Sequence, residues 1–264
     1  MNLIFLKLGG SLITDKSNAH TARPDVLRRL AAEILTALDA QPDLRLVIGH
    51  GSGSFGHIPA HRYHTRDGVR TASEWAGFIE VWKEARALNQ IVVESLGEAG
   101  LPVIAMPPSA AVTAAGGQVA RWDLAPMQSA LAAGLIPLVN GDTIFDTHQG
   151  GTIFSTEELF FYLARQLKPR RIALAGIESG VWADFPIRSR LIECITPHGF
   201  EQVADRLQGS SVVDVTGGML SKVRTMLDLL TDVPDLEILI FSGTVPGNVT
   251  LALNGIDIGT RIST

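Results

Sequence analysis

The alternation of short apolar runs with amphipathic helical stretches limits the fold of this chain more than any other feature. The runs are rich in Leu, Ile and Val and have the length of single strands: 3–8, 44–48, 102–105, 135–139, 172–175 and 236–241. Helical stripes of apolar residues lie between several of them, as after Pro24, which suits a first helical turn, and along 159–167 and 219–230. This order predicts an α/β fold with a mainly parallel sheet covered on both faces. Ligands bind beyond the carboxyl ends of the strands in such sheets, so we expect functional residues in the loops after strands.

Length, charge and cysteine content narrow the class of protein. A chain of 264 residues can bury a full core, and we expect one domain over 1–264 with a soft boundary near 165–170. The net charge of -5 and the scattered Lys and Arg argue against nucleic acid as a partner. No apolar stretch approaches the roughly 20 residues of a membrane span, and the start lacks the charge pattern of a signal peptide. We therefore expect a cytoplasmic protein without a membrane partner, and we interpret the single Cys194 as a buried structural thiol.

The first glycine-rich loop follows the first predicted strand directly. Gly9 and Gly10 allow backbone amides to turn toward a ligand, and Lys7 and Lys16 flank the turn. Ser11 adds a donor. This combination suits a polyphosphate, but on these residues alone a tight turn with two solvated lysines is an equally good interpretation.

The second glycine-rich loop, at 49–57, follows another strand and has two interpretations. Gly51, Gly53 and Gly56 have the spacing of a dinucleotide fingerprint, which makes an NAD-dependent oxidoreductase the natural rival. That fingerprint needs an acidic residue about 20 positions on, at a strand end. Glu74 is near that distance but lies in a predicted helix, so the fingerprint is weak. A P-loop is excluded because no GxxxxGK[ST] string occurs.

A third glycine pair precedes a predicted helix. Gly217 and Gly218 stand before the apolar stripe of 219–230, and Lys222 lies in its first turn. Exposed amides and the positive end of the helix favour phosphate, and a lysine there can reach it. A plain glycine-rich turn explains this segment alone, but three such clusters in one chain favour an anionic ligand.

These motifs, taken in order, resemble those of the isopentenyl phosphate kinases of the amino acid kinase superfamily. The strings are KLGGSLITDK at 7–16, GSGSFGH at 51–57, NGDT at 140–143 and VTGGM at 215–219, and the resemblance spans nearly the whole chain. It implies a three-layer αβα sandwich, usually as a homodimer, with an acceptor-binding half of about 1–165 and a nucleotide-binding half of about 166–264. The implied enzyme transfers phosphate from ATP, with Mg²⁺, to isopentenyl phosphate, a small prenyl monophosphate whose own phosphate is the acceptor.

The resemblance also implies roles for individual residues. The catalytic set would be Lys7, Lys16, His57 and Glu157, with Glu157 standing where relatives carry an Asp that organises the two active-site lysines. The nucleotide-binding set would be Lys7, Gly9, Gly10, Ser11, Lys16, Gly176, Gly217 and Lys222. The substrate-binding set would be Ser52, Gly53, Ser54, Gly56, His57, Gly141 and Asp142, with His57 hydrogen-bonding the acceptor phosphate. No side chain is assigned to metal, because the spacing of His50, His57, His61 and His64 matches no closed zinc pattern.

The chain departs from the pattern of the resembling family in two segments and leaves some functions open. At 174–182 it lacks the first Asp of the family's LTDVDGVY segment, which leaves the nucleotide contacts of Gly176 open. Leu220 and Ser221 differ from the residues that precede the lysine in some members, which leaves Lys222 as the only lysine of that turn. The apolar helical segment 75–93, with Trp75, Phe78, Ile79, Val81, Trp82 and Leu88, could form a wall for a short prenyl tail or part of the core. Three alternative functions remain at this point: a fosfomycin-kinase-like phosphonate kinase, an NAD-dependent oxidoreductase and a non-catalytic nucleotide sensor.

Overall fold

The fold is described from a computed structural model, which covers residues 2–15, 17–200 and 218–264, and the side chains of these except at 57 and 58. The strands in this part of the chain are β1 Asn2–Leu8, β2 Leu44–His50, β3 Val103–Ala105, β4 Val112–Ala115, β5 Gln118–Trp122, β6 Ile136–Asn140, β7 Asp142–Asp146, β8 Gly150–Phe154, β9 Arg171–Gly176, β10 Val181–Trp182, β11 Leu191–Ile192, β12 Cys194–Ile195, β13 Glu237–Ser242 and β14 Thr260–Ile262. The helices are α1 Gly10–Ile13, α2 Pro24–Ala40, α3 Gly53–Tyr63, α4 Ala72–Glu98, α5 Ala125–Ala132, α6 Thr156–Leu167, α7 Gly218–Asp232 and α8 Asn248–Leu253.

A central sheet holds the described strands in the order β12-β14-β13-β9-β1-β2-β6-β3. Its neighbours run parallel except at β13 and β14, which are antiparallel. Strand β1 therefore lies between β2, from the first half of the chain, and β9, from the second. The six predicted strands are confirmed and belong to this sheet, as a mainly parallel buried sheet requires.

Alternating side chains of β1 build a core on each face of the sheet. Leu3 and Phe5 face a layer that contains α6 and α7, whereas Ile4, Leu6 and Leu8 face a layer that contains α2, α4 and α8. The three-layer arrangement predicted from the alternation is thus confirmed. Because side chains alternate along a strand, Lys7, near the end of β1, points to the same face as Leu3 and Phe5, toward α6 and α7.

A smaller sheet, in the order β5-β4-β7-β8, packs on the α6 side and contains two hairpins. The β4–β5 turn contains Gly116 and Gly117 at positive φ, and the β7–β8 turn begins at Asp146. The Asp146 carboxylate accepts the amides of Gly116, Gly117, His148 and Gln149, so one side chain holds the two turns together.

The structure bears on two predictions, one about the burial of Cys194 and one about membrane-spanning helices. Cys194 is exposed, so the prediction of a buried thiol is wrong: the two-residue strand β12 lies at the edge of the sheet, with only Ile195 turned into the core. In the described part of the chain, no helix is both long and apolar enough to cross a bilayer.

Candidate active site

The candidate site lies where the carboxyl ends of β1, β2 and β9 meet. Lys7 pairs in register with Gly49 on one side and Leu174 on the other, so the loops after the three strands begin at the same level. The Gly9 amide donates to the Ala175 carbonyl at 2.8 Å, and the Gly51 amide donates to the Leu8 carbonyl at 3.3 Å. The chain continues from β1 to β2 on one side and from β9 toward β13 on the other, so the crevice between β1 and β9 is the switch point at which α/β sheets bind ligands.

The first two glycine-rich loops pack backbone against backbone. A Cβ at Gly10 would lie 2.5 Å from the Gly53 nitrogen, and a Cβ at Gly53 would lie 2.2 Å from Thr14 Oγ1. Gly53 also has a φ of +50°, which residues with a side chain rarely adopt. These glycines therefore bring the two loops into contact, and the Ser54 amide donates to Thr14 Oγ1 at 3.0 Å across the junction.

A buried carboxylate holds two lysines from distant parts of the chain. Glu157 lies in the first turn of α6, whose N-cap, Ser155, forms a capping box with Glu158. Glu157 Oε1 forms an ion pair with Lys7 Nζ and lies 3.7 Å from Lys222 Nζ. The expectation that Glu157 organises two lysines fits this geometry, with Lys7 and Lys222 as the described pair.

The charge state of Glu157 follows from these neighbours. Burial by itself would raise the pKa of the carboxyl group, but the positive charges of Lys7 and then Lys222 outweigh burial and lower the pKa to about 2. Glu157 is therefore ionised at any physiological pH. Because two lysines share one carboxylate, the cluster of Lys7, Lys222 and Glu157 has a net positive charge beside the adjoining cavity.

A cavity of about 170 Å³ opens beside this cluster and collects most of the predicted site residues. Those that line it are Lys7, Gly9, Gly10, Ser11, Ser52, Gly53, Gly56, Gly141, Asp142, Glu157, Gly176 and Lys222. An apolar wall of Ala60, Val81, Ala85 and Ile153 continues from the polar part. The cavity thus has a charged part and an apolar part, which suits a small ligand with one anionic group and one hydrocarbon group.

Four predicted residues are not placed at the cavity. The Ser54 side chain is buried and accepts the Thr21 amide at 3.4 Å, away from the cavity lining. Lys16 and Gly217 lie outside the described residues. The backbone of His57 belongs to α3, whereas its side chain lies outside what is described. The roles of these last three residues stay predictions.

Asp142 also lines the cavity, and among the described residues it forms no ion pair. Its carboxylate accepts the Ser109 amide at 3.1 Å and the Thr143 amide at 2.9 Å. Burial raises its pKa from 3.8 to about 6, because the two amides offset only part of the desolvation. Asp142 therefore joins the start of β7 to the turn at Ser109, and it becomes protonated more readily than an ordinary carboxylate.

A buried hydrogen-bond network that was not predicted holds the second glycine-rich loop to α6. The Thr156 hydroxyl donates to the His50 carbonyl at 2.6 Å, and the imidazole of His50 contacts Asn89 Oδ1 at 3.0 Å and the Gly51 carbonyl at 3.1 Å. Burial lowers the pKa of His50 below its ordinary value, which favours the neutral ring. The polar residues Asn89 and Thr156 within apolar helical patterns were the sequence signal that could have revealed this network.

The loop that departs from the family pattern is held together by its own side chains. Glu178, at the rim of the cavity, accepts Trp182 Nε1 at 2.9 Å and Arg188 Nη2 at 2.8 Å. Gly176 ends β9, and its carbonyl accepts the Gly243 amide at 2.8 Å. The loops after β9 and β13 are therefore joined directly beside the site.

The carboxylates around the cavity are already engaged. Glu157 holds two lysines, Glu178 holds Trp182 and Arg188, and Asp142 accepts two amides. Across the described residues, no three His, Cys, Asp or Glu side chains form a group that could hold a metal ion. A divalent cation at this site would therefore depend mainly on ligand phosphates, as Mg²⁺ at nucleotide sites commonly does.

Comparison with known proteins assigns the family. The model of the amino acid kinase family matches residues 2–242. The isopentenyl phosphate kinase of Methanothermobacter thermautotrophicus is 33% identical over 272 residues, covering 99% of each chain, and that of Methanocaldococcus jannaschii is 31% identical over 266 residues, covering 98% of each. The chain belongs to the amino acid kinase family, among the isopentenyl phosphate kinases.

Solved structures of this family agree with the fold. An isopentenyl phosphate kinase solved by X-ray crystallography superposes with a TM-score of 0.83 at 30% identity, covering 99% of this chain and 100% of that one. A substrate complex of an isopentenyl phosphate kinase superposes with a TM-score of 0.78 at 25% identity, covering 99% of this chain and 100% of that one. The expected amino acid kinase fold is thus confirmed.

Two sequence interpretations change once family and structure are combined. Glu74 belongs to the capping box of α4, where its carboxylate accepts the Thr71 and Arg70 amides, so it is not placed to hold a ribose. Of the apolar residues singled out in 75–93, Val81 lines the cavity, whereas Phe78, Ile79 and Trp82 line a separate groove and Leu88 belongs to the core. The sequence missed Ala60, Ala85 and Ile153 because small apolar residues carry no distinctive signal.

Proposed function

We propose that the chain is an ATP-dependent isopentenyl phosphate kinase that converts isopentenyl phosphate to isopentenyl diphosphate. The observation that carries this proposal is the cavity at the switch point, where Lys7 and Lys222 on Glu157 meet an apolar wall of small side chains. The named activity of the relatives supports the same acceptor. The fosfomycin-kinase-like, oxidoreductase and sensor alternatives receive no support from the comparisons.

The proposed reaction requires neutralisation of the negative charge on the two phosphates rather than a strong general base. A phosphate monoester has a second pKa of about 6, so its oxygen is already an ionised nucleophile near neutral pH. The cost lies in bringing two anions together, and phosphoryl transfer is catalysed mainly by alignment and by positive charge around the transferred group. Lys7 and Lys222 supply that charge from fixed positions, because Glu157 holds both of them.

The binding roles divide between the loops. We propose that Gly9, Gly10, Ser11, Gly176 and Lys222 contact the nucleotide, with Lys16 and Gly217 added from the sequence. Ser52, Gly53, Gly56, Gly141 and His57 would contact the acceptor phosphate, while Asp142 orders the turn beside it. Mg²⁺, when bound through the nucleotide phosphates, would add positive charge there. The hydrocarbon tail would lie against Ala60, Val81, Ala85 and Ile153.

The broader properties are also proposed. We infer a single domain in which about 1–165 binds the acceptor and about 166–264 binds the nucleotide, because β1 and β9 from the two halves pair in one sheet. We infer a homodimer from the usual state of the resembling family and from an apolar groove of about 610 Å³ along α4, which a second copy would cover. The single cysteine suits a cytoplasmic location.

One assay tests the function. Purified protein is supplied with Mg-ATP and, in separate reactions, isopentenyl phosphate, dimethylallyl phosphate, fosfomycin, uridylate or acetylglutamate, and release of ADP is followed. We expect turnover with the prenyl phosphates and little with the others. Absence of turnover with isopentenyl phosphate, with the protein folded and ATP bound, would overturn the proposal.

A further inference from the structure

Arg66 is a cation of the cavity wall that no motif of the sequence indicated. It lies in a short helical turn, Thr65–Asp67, that follows α3. Its carbonyl accepts the Thr152 hydroxyl at 3.1 Å, which ties this turn to β8. The side chain lines the cavity, and the turn packs on β8, α3 and α4, the elements that carry the apolar wall. Arg66 is therefore positioned by the fold on the acceptor side of the site.

The two ends of the Arg66 guanidinium differ in their partners. Nη2 donates to Glu158 Oε1 at 2.6 Å. Nη1 is buried and has no hydrogen-bond acceptor among the described residues. A buried donor normally has a partner, and the Arg66 side chain as a whole is 35% exposed and lines the cavity, so a small turn of the guanidinium would bring Nη1 to a ligand atom there. The planar fork of arginine matches the oxygens of a phosphate group.

Two glutamates in the first turn of α6 form ion pairs with the cations of the site. Glu157 holds Lys7 and Lys222, and the next residue, Glu158, holds Arg66. These three are the cations among the described side chains that line the cavity. The two lysines already share one carboxylate, whereas a prenyl monophosphate brings close to two negative charges at neutral pH. A third cation on the acceptor side would offset part of that charge.

We propose that Arg66 binds the acceptor phosphate through Nη1 while Nη2 remains on Glu158. This inference rests on the proposed function and adds a residue that selects an anionic acceptor head group. Because Glu158 is fixed in the capping box of α6, it orients the guanidinium before the acceptor arrives. Arg66 thereby links acceptor binding to the same helical turn that positions the two lysines.

The test measures acceptor binding and turnover in four variants. Arg66→Gln should raise the Kd and KM for isopentenyl phosphate by about tenfold to a hundredfold, the usual loss for a charge-assisted hydrogen bond, with the KM for ATP unchanged. Arg66→Lys should recover part of the loss. Glu158→Gln keeps an acceptor for Nη2 and should cause a smaller rise than Arg66→Gln. Arg62→Gln is the matched control, since Arg62 is exposed on α3 and pairs with Glu80.

The double variant Arg66→Gln/Glu158→Gln guards against a folding artefact, because it leaves no unpaired carboxylate. It should lose acceptor affinity as Arg66→Gln does, with a melting temperature close to wild type. Equal losses in Arg66→Gln and Glu158→Gln would show that the ion pair is only structural and would overturn the inference, as would an acceptor Kd within twofold of wild type in Arg66→Gln. Failure of the wild type itself to bind isopentenyl phosphate would instead overturn the proposed function and this inference with it.

Discussion

Two buried carboxylates on one cavity show how local partners decide the charge of a residue. Glu157 and Asp142 are both nearly inaccessible to solvent, and burial raises the pKa of each. Lys7 and Lys222 reverse that effect for Glu157, to about 2, while Asp142 has only amide donors and rises to about 6. Of these two carboxylates, Glu157 therefore stays ionised, whereas the charge of Asp142 depends on pH.

The role of Glu157 can be tested by removing its charge while keeping its shape. Glu157→Gln should lower kcat on the order of a hundredfold, because Lys7 and Lys222 would repel each other and leave their positions. Glu157→Asp keeps the charge and should recover part of the activity. The measurement is steady-state kinetics for both substrates; unchanged kcat in Glu157→Gln would contradict the role.

Asp142 should make stability depend on pH between about 4 and 6. Its folded pKa is raised from 3.8 to about 6, so folding favours the protonated form. That contribution is complete below pH 3.8, is lost as pH rises through about 6, and amounts to at most about 3 kcal/mol. Asp142→Asn removes the ionisation.

Chemical denaturation of both proteins from pH 4 to 7.5 measures this effect. The wild type should lose stability relative to Asp142→Asn as pH rises, and the difference should be constant above pH 7. Parallel pH profiles for the two proteins would show that the Asp142 pKa is not raised by folding.

At the scale of elements, the site depends on loops whose backbones are in direct contact, with no side chain between them. The α1 and α3 ends meet at Gly10 and Gly53, and the loops after β9 and β13 meet at Gly176 and Gly243. Each of these loops follows the carboxyl end of a strand in the central sheet. The order of the strands sets how far apart the loops begin, and the glycines, which lack side chains, allow the loop backbones to come into contact.

Replacing Gly53 with Ala should damage this junction. The new Cβ would meet Thr14 Oγ1 at 2.2 Å and the Gly10 carbonyl at 2.7 Å, at a φ of +50°. We expect a loss of about 1–3 kcal/mol of stability and a larger KM for the acceptor. Gly97→Ala is the control: Gly97 lies in α4 with no atom within 4 Å of the added Cβ, so it should be neutral or up to about 1 kcal/mol stabilising. Equal effects of the two changes on thermal unfolding and kinetics would refute the proposed junction.

At the scale of the whole molecule, exposed apolar residues that do not line the cavity support the proposed homodimer. Ile79 and Phe145 are 49% and 55% exposed, and both line the groove that also contains Phe78 and Trp82. Trp75, Phe78 and Phe145 form a ring cluster with centroid distances of 5.2–5.9 Å. Contiguous exposed apolar surface of this kind commonly marks an interface.

A charge placed in this groove should separate the proposed dimer. Light scattering after size exclusion should give wild type at twice the chain mass of 28.3 kDa and Ile79→Glu at the single-chain mass. Ile187→Glu is the control, because Ile187 is 77% exposed and does not line the groove. A monomeric wild type, or an Ile79→Glu variant that stays dimeric, would contradict the proposed interface.

The sequence alone determined the elements and much of the chemistry. The strands and the amphipathic helices follow from periodicity, which acts over a few positions. The family motifs then indicated Lys7, Glu157 and Lys222, and the structure brings these three together. Local patterns were sufficient here because Lys7 lies near the end of β1, and Glu157 and Lys222 lie near the beginnings of α6 and α7.

Only the tertiary structure decided which side chains share the cavity. Arg66, Ala60, Ala85 and Ile153 meet there because α3, α4 and β8 pack around the end of β1, and no spacing in the chain encodes that contact. The exposure of Cys194 and the turning of Ser54 away from the cavity likewise depend on sheet order and loop packing. Contacts between residues that are distant in the sequence depend on how the helices and strands pack against one another. That packing is decided by the whole fold and not by any local pattern.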